Sequence, residues 1–205
     1  MPDKELSKTT GMVFTKNRLE ALVDGIFGFS LTLLVVNLSI PRGADLSELG
    51  KLLIGQLNGF FAYAISFLLL ATFWIAHHRQ FHYIRHTDIR HIWINILMLL
   101  FVAFMPFSTS LLANYAGTLS DIIFGGNLMV LGMLLTANWI YATDKYRLVE
   151  QELDRNIIIR GIRRTFVTIG VAALAMVISI FYPVQSSFIY LLILLLFLTP
   201  PFRNR

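Results

Sequence analysis

A carboxylate stands inside an apolar stretch near the start of the chain. The stretch runs from Arg18 to Leu38, which is long enough to cross a bilayer as a helix, and Asp24 lies about one and a half turns beyond Arg18. A charge at membrane depth costs several kcal/mol unless it is paired or hydrated, so it usually marks a functional position. We therefore expect Asp24 to have a polar partner on a neighbouring helix.

Polar side chains at the ends of two later apolar runs are the candidate partners. We predict that Arg18, His77 or Asn95 reaches Asp24. The full predicted brace, a set of polar side chains that fixes helix packing, consists of Arg18, Asp24, Trp74, His77 and Asn95. The alternative is a titrating relay through Asp24 and the His77–His78 region, as a proton pathway or a secondary transporter would use.

Three histidines, His78, His82 and His86, follow at intervals of four residues. On one helix they would share a face, a spacing that suits a metal site, but the only further ligand nearby is Asp88. We interpret them as a basic turn at the membrane interface and predict no metal and no cofactor. The sequence offers no nucleophile–base–acid set, no paired acids on one membrane face and no glycine-rich phosphate loop, so we predict that the protein is not an enzyme.

The composition is that of an integral membrane protein. Of the 205 residues, 56% are hydrophobic and 14% are charged, whereas soluble domains carry about 25% charge. The apolar runs are continuous, which favours helices over the alternating strands of a barrel. We predict an all-α membrane protein with six transmembrane helices, over residues 17–40, 52–78, 92–115, 122–141, 157–181 and 186–198. The charged run 144–154 is expected to continue the fourth helix, and Pro106 to kink the third, where Ser108, Thr109 and Ser110 can repair freed carbonyls.

The distribution of positive charge predicts the orientation. All but two of the 17 lysines and arginines lie at one side of the predicted spans. They occupy the N-terminal tail and the start of the first span, the turn between the second and third spans, the segment between the fourth and fifth spans, and the C-terminal end. The exceptions are Arg42 and Lys51. By the positive-inside rule, both termini face the cytoplasm. We predict a cytoplasmic tail at 1–16, a transmembrane domain at 17–199 and a second tail at 200–205. The net charge of +5 is concentrated at helix ends, so it does not suggest a nucleic-acid partner.

Several short motifs resemble one membrane-protein family. Arg18 precedes Leu22-Val23-Asp24, Trp74 precedes His77 and Phe81, and Asn95 precedes Pro106-Phe107-Ser108-Thr109. This pattern is similar to that of the prokaryotic relatives of transmembrane protein 175, the lysosomal potassium channel. That family has Phe-Ser-Asp after its first arginine, whereas Leu22 and Val23 replace the phenylalanine and the serine here. The resemblance covers the first three spans.

The resemblance implies a homotetramer in the prokaryotic plasma membrane that conducts cations passively and prefers potassium ions. The family lines its pore with the first helix. On this sequence the pore constriction would fall on Phe29, Leu33 and Val36, and the selectivity position on Thr32. Phe29, Leu33 and Val36 recur at the spacing of one helix face, and that face could instead pack against lipid or another helix. The Thr-Val-Gly-Tyr-Gly filter of ordinary potassium channels is absent from the sequence, so selectivity would have to come from side chains. A secondary transporter and a membrane scaffold without conduction are the competing classes.

Overall fold

The computed structural model describes residues 15–36, 38, 47, 49–115, 117–182 and 186–198. These residues form seven α-helices: α1 Lys16–Val36, α2 Leu49–Gly55, α3 Leu57–Tyr83, α4 Ile89–Asn114, α5 Thr118–Thr143, α6 Arg155–Ser179 and α7 Leu191–Leu198. Short 3-10 turns occupy Asp144–Tyr146 and Ser187–Tyr190. Over the described ranges there is no β-strand, only a single antiparallel bridge between Ile84 and Val149. The all-helical prediction is confirmed for this part of the chain.

Five of these helices, α1, α3, α4, α5 and α6, are long and apolar enough to cross a membrane. The shortest, α1, has 21 residues, which is about 32 Å at 1.5 Å per residue, against a hydrocarbon core of about 30 Å. The sixth predicted span coincides with a 3-10 turn and α7, and α7 has only 8 residues. A six-span topology with cytoplasmic termini therefore stays a prediction. Apart from Thr15 and Lys16, the two predicted tails lie outside the described residues.

The boundary between α3 and α4 differs from the predicted one for a local reason. α3 continues to Tyr83, five residues past its predicted end, because Phe81 on its last turn is buried. α4 begins at Ile89, three residues early, because the Asp88 carboxylate accepts a hydrogen bond from the His91 amide at 2.8 Å and caps the helix. Burial tends to raise the pKa of Asp88, but hydrogen bonds from the His91 amide and the Tyr141 hydroxyl outweigh it and hold the pKa below its usual value.

The prediction that 144–154 continues the fourth helix is wrong. α5 ends at Thr143, and the chain reverses through Lys145 and Tyr146, whose φ angles of 51° and 55° lie in the left-handed region. After the reversal, the Leu148 amide donates to the Ala142 carbonyl at 2.9 Å. The reversal buries Leu148 and Val149, which a helix projecting into solvent would leave exposed, and this burial favours the turn.

Helix packing produces two apolar cores. α5 packs between α4 and α6, α1 packs on α4 and α3, and α7 packs on α3 and α6. The larger core lies at the middle of these helices and includes Phe27, Leu69, Met98, Leu128 and Ala172. The smaller core gathers the ends of α3, α4 and α5 around Leu19, Phe81, Ile84, Ile92, Trp139, Ala142, Leu148 and Val149.

α4 runs continuously through Pro106. The hydroxyls of Ser108 and Thr109 both donate to the Met105 carbonyl, at 3.0 and 2.9 Å, and the hydroxyl of Ser110 contacts Asn114. The carbonyl that the proline would leave without a donor belongs to Val102, four residues earlier. The hydroxyls of Ser108 and Thr109 therefore bond to a carbonyl about one turn further along the helix than the one that the proline affects. The kink at Pro106 stays a prediction.

Candidate functional site: the exposed face of α1 and the polar groups behind it

The side chains of α1 divide into a buried and an exposed face. Leu19, Val23, Phe27, Ser30 and Leu34 are buried against α3 and α4. Phe29 and Val36 lie on the other face, where 64% and 67% of their surface is exposed, and Thr32 lies between them. Leu33 is half-buried at the edge of this face. An apolar stripe of α1 is thus left uncovered by the rest of the described chain.

Thr32 is the exposed hydroxyl on this stripe. Its Oγ1 donates a hydrogen bond to the Phe29 carbonyl one turn earlier, at 2.8 Å. A hydroxyl has one donor hydrogen and two acceptor lone pairs. Because the helix uses the hydrogen, the exposed oxygen can act only as an acceptor towards whatever lies beside α1.

Asp24 is bonded to a tryptophan on the neighbouring helix. Trp74 Nε1 on α3 donates to Asp24 Oδ1 at 2.8 Å, and the Trp74 ring stacks on His78 with centroids 5.6 Å apart. Among the described residues, no hydrogen bond or ion pair joins Asp24 to Arg18, His77 or Asn95, the partners that the sequence suggested. Residues six apart on a helix point about 120° apart around its axis, so Arg18 faces away from Asp24. Both side chains are exposed in the single chain.

His77 and Asn95 belong instead to a buried network of side-chain amides. His77 Nε2 and Asn95 Oδ1 lie 2.8 Å apart, and Asn95 Nδ2 donates to Asn138 Oδ1 at 2.8 Å. Asn138 Nδ2 donates to Gln80 Oε1 at 2.9 Å, and Gln80 Nε2 donates to the Leu135 carbonyl at 3.1 Å. The network therefore joins α3, α4 and α5. Gln80 and Asn138 were not predicted. An amide within an apolar helix was the signal that could have identified Asn138, whereas Gln80 lay beyond the predicted end of its helix.

A cavity of about 230 Å³ lies where the two polar groups come together. It is lined by Glu20, Val23, Asp24, His77, His78 and Phe81. Asp24 brings the first hydrogen-bonded pair to this cavity from α1, and His77 brings the amide network to it from α3. The predicted brace thus consists of two separate hydrogen-bonded units that meet at one cavity, with Arg18 in neither of them.

The three spaced histidines do not share one helix. His78 and His82 lie on α3, but α3 ends at Tyr83, so His86 falls in the following loop. His82 packs edge-on against Tyr83 at 5.1 Å. In the part of the chain that the structure describes, no three histidine, cysteine or carboxylate side chains come close enough to hold a metal ion.

These features define a helical integral membrane protein whose first helix presents an uncovered apolar face. The family model described as "Endosomal/lysosomal potassium channel TMEM175" matches residues 18–106, which include most of α1, all of α2 and α3, and most of α4. A relative from Chamaesiphon minutus, named as a potassium channel, is 30% identical over 145 residues, covering 68% of this chain and 71% of the relative. The chain belongs to the TMEM175 channel family, and the resemblance identified from the sequence motifs is confirmed.

Two further comparisons concern the fold and the breadth of the family. The crystal structure of a lysosomal potassium-selective channel TMEM175 homologue from Chamaesiphon minutus superposes with a TM-score of 0.78 at 24% identity, covering 89% of this chain and 95% of that one. It shows that the fold is shared. A relative from Gallus gallus, named as an endosomal/lysosomal proton channel, is 28% identical over 110 residues, which are 50% of this chain and 22% of the relative.

Proposed function

We propose that the chain is one subunit of a passive, potassium-preferring cation channel in the prokaryotic plasma membrane. The observation that carries the proposal is the apolar face of α1, which the chain's own helices leave uncovered. One helix cannot enclose a pore, but several copies related by rotation can, and four is the number the family resemblance implies. The bacterial relative named as a potassium channel supports the choice of permeant ion.

The pore constriction in this proposal is a set of stacked apolar rings. Phe29 and Val36, which are the most exposed of the three, would project furthest towards the pore axis. Leu33 lies between them along the helix and is half-buried in the single chain, so its ring would project less. A narrow apolar ring excludes water, and an ion does not cross a dry gap, so such rings close a pore without a charged plug.

Selectivity in this proposal comes from Thr32. Its hydroxyl hydrogen is engaged by the Phe29 carbonyl, so the oxygen has only lone pairs to present to the pore axis. A ring of such oxygens can replace part of the hydration shell that a cation loses at the constriction.

The polar groups behind α1 hold the pore helix in orientation. The Asp24–Trp74 hydrogen bond attaches α1 to α3, and the His77–Asn95 contact attaches α3 to α4. Arg18, exposed at the start of α1, has no bonded role in this brace within a single described chain; we propose that it acts at the subunit interface or the membrane surface.

Reconstitution in liposomes tests the proposal. With a potassium gradient and no second gradient, a channel dissipates the gradient, a coupled transporter does not, and a scaffold leaves the membrane tight. Under mixed potassium and sodium, Thr32→Ala should move the reversal potential towards the non-selective value, while Thr32→Ser, which keeps the oxygen, should move it less. An unchanged reversal potential with intact current in Thr32→Ala would contradict the selectivity role.

Proton conduction is the second candidate function. The observation that favours it is the cavity lined by Asp24, His77 and His78, which collects titratable side chains at one end of α1. The Gallus gallus relative named as a proton channel supports the same alternative. A pH-sensitive dye inside the liposomes measures it: proton entry that persists without permeant metal cations and is lost in Asp24→Asn would favour this function over potassium conduction.

A further inference from the structure

The buried amide network has a fixed hydrogen-bond direction. A main-chain carbonyl can only accept, so the contact with the Leu135 carbonyl requires the amide nitrogen of Gln80 to face it. The Gln80 oxygen then accepts from the Asn138 amide nitrogen, which turns the Asn138 oxygen towards Asn95. Each amide along the chain is therefore oriented by the one before it.

Asn95 is oriented a second time, independently. Its Nδ2 also donates to the His91 carbonyl at 2.8 Å. Both Nδ2 hydrogens are thus used, one by each acceptor, and Oδ1 must face His77. Since Oδ1 can only accept, His77 Nε2 carries the hydrogen at their 2.8 Å contact. A neutral imidazole has one N–H, so the lone pair of His77 resides on Nδ1.

The free edge of the His77 ring borders the cavity at the N-terminal end of α1. The His77 side chain is 97% buried, since only 3% of its surface is exposed, and it lines the cavity with Asp24 and Glu20. Among the described residues, the hydrogen bond of the His77 ring is made by Nε2, and Nδ1 is not fully enclosed by protein. The cavity therefore receives one fixed nitrogen lone pair together with the carboxylates of Asp24 and Glu20, which stand one helical turn apart; Glu20 also forms an ion pair with Lys16 Nζ at 3.8 Å.

We propose that this cavity binds an ammonium-type cation, either ammonium itself or a primary alkylammonium. Such a cation carries positive charge for the carboxylates of Glu20 and Asp24 and an N–H donor for the nitrogen of His77. A hydrogen bond from a charged donor to a neutral nitrogen is stronger than a neutral pair. A chelated metal ion does not fit, because the described residues bring no three metal-ligating side chains together.

The position of Asp24 at this site is fixed by a neighbour. Trp74 Nε1 donates to Asp24 Oδ1 at 2.8 Å, which leaves the other carboxylate oxygen for a bound cation. The cation site is separate from the exposed α1 face that we assign to conduction, and binding to it can be measured without any current.

Nitrogen-15 NMR of the assembled protein labelled at its five histidines tests the first step. His77, assigned by the signal missing in His77→Phe, should show a protonated Nε2 and a bare Nδ1 at neutral pH. Asn95→Leu should give a mixture of tautomers, and Asn95→Asp, which keeps the acceptor, should restore the Nε2–H form. A bare Nε2 or a doubly protonated ring in the unaltered protein would overturn the proposal.

Titration with methylammonium tests the site itself, and tetramethylammonium, which has the same charge but no N–H donor, is the matched ligand. Methylammonium should shift the His77 Nδ1 signal to saturation, and tetramethylammonium should shift it much less. Glu20→Gln should weaken methylammonium binding about tenfold, which is the usual effect of losing one charge-assisted hydrogen bond. His82→Phe, on the same helix but outside the cavity, should leave binding unchanged. Equal shifts from both cations, or no saturable shift from methylammonium, would refute the proposal.

Discussion

Replacing Gly161 by alanine tests the close packing of α6 on α5. A Cβ at this position would lie 2.5 Å from Trp139 Nε1 and 3.1 Å from Cδ1, whereas ordinary contacts begin near 3.4 Å. The Trp139 ring cannot easily retreat, since it is buried and its Nε1 donates to the Ile158 carbonyl at 3.1 Å. The ring or the helix must therefore move by about 0.9 Å, and the indole hydrogen bond must lengthen or bend.

The magnitude follows from two opposing effects. Overpacking of this kind typically costs about 1–3 kcal/mol of the free energy of unfolding. The higher helix propensity of alanine than of glycine stabilises the folded protein by about 1 kcal/mol. Gly161→Ala should therefore lose up to about 2 kcal/mol. Gly170→Ala on the same helix has nothing within 4 Å of its Cβ, so only the propensity effect remains.

Thermal or denaturant unfolding in detergent measures both variants, with tryptophan fluorescence as the signal. We expect Gly161→Ala to be less stable than Gly170→Ala by roughly 1–3 kcal/mol, and its total tryptophan emission in the folded state to differ from that of the unaltered protein. Equal stability of the two alanine variants would show that α6 can move away from the tryptophan at no cost, and the packing argument would fail.

Three further changes test other parts of the molecule. Phe29→Asn should wet the proposed constriction and raise single-channel current, with Phe29→Leu as the apolar control; current that is unchanged in correctly assembled Phe29→Asn counts against a gate there. Asp24→Ala and Trp74→Phe should each cost about 1–2 kcal/mol, below the 3–5 kcal/mol of a broken buried pair because Asp24 is exposed, and the double variant should cost no more than either single one. The lowered pKa of Asp88 means that its capping bond stabilises the fold above the unfolded pKa and is lost as the pH falls through the lower folded value, so Asp88→Asn should flatten the stability curve below about pH 4. Unfolding curves at several acidic pH values that coincide for both proteins would contradict this.

The long helices were predictable from the sequence because apolar runs of membrane-spanning length have few other solutions. Their ends were less predictable, because side-chain contacts decide them. Asp88 moved the start of α4 by capping it, and Phe81 extended α3 by burial. The turn at Lys145 depends on the burial of Leu148 and Val149 against distant helices, which no local pattern reveals.

The sequence predicted which residues gather at the candidate site, but it did not predict which hydrogen bonds join them. Asp24, Trp74, His77 and Asn95 do gather at one end of the bundle, as the antiparallel order of the spans requires. Their pairing depends on rotation about each helix axis, which sequence spacing alone does not determine between helices. In the folded chain the orientations of α1 and α3 pair Asp24 with Trp74 rather than with His77. The orientations of α4 and α5 pair Asn95 with Asn138.

The reversal after α5 has a practical consequence for engineering this protein. Lys145 and Tyr146 hold left-handed conformations, and Leu148 and Val149 enter the smaller core directly after them. An epitope or fluorescent domain inserted between 144 and 149 would pull both side chains out of that core. At 150–152 the side chains are exposed, so the same insertion there would displace solvent, the Arg85–Glu150 ion pair at the surface and the hydrogen bond from the Leu153 amide to the Glu150 carbonyl. The loop thus contains a forbidden and a permitted insertion point within a few residues of each other.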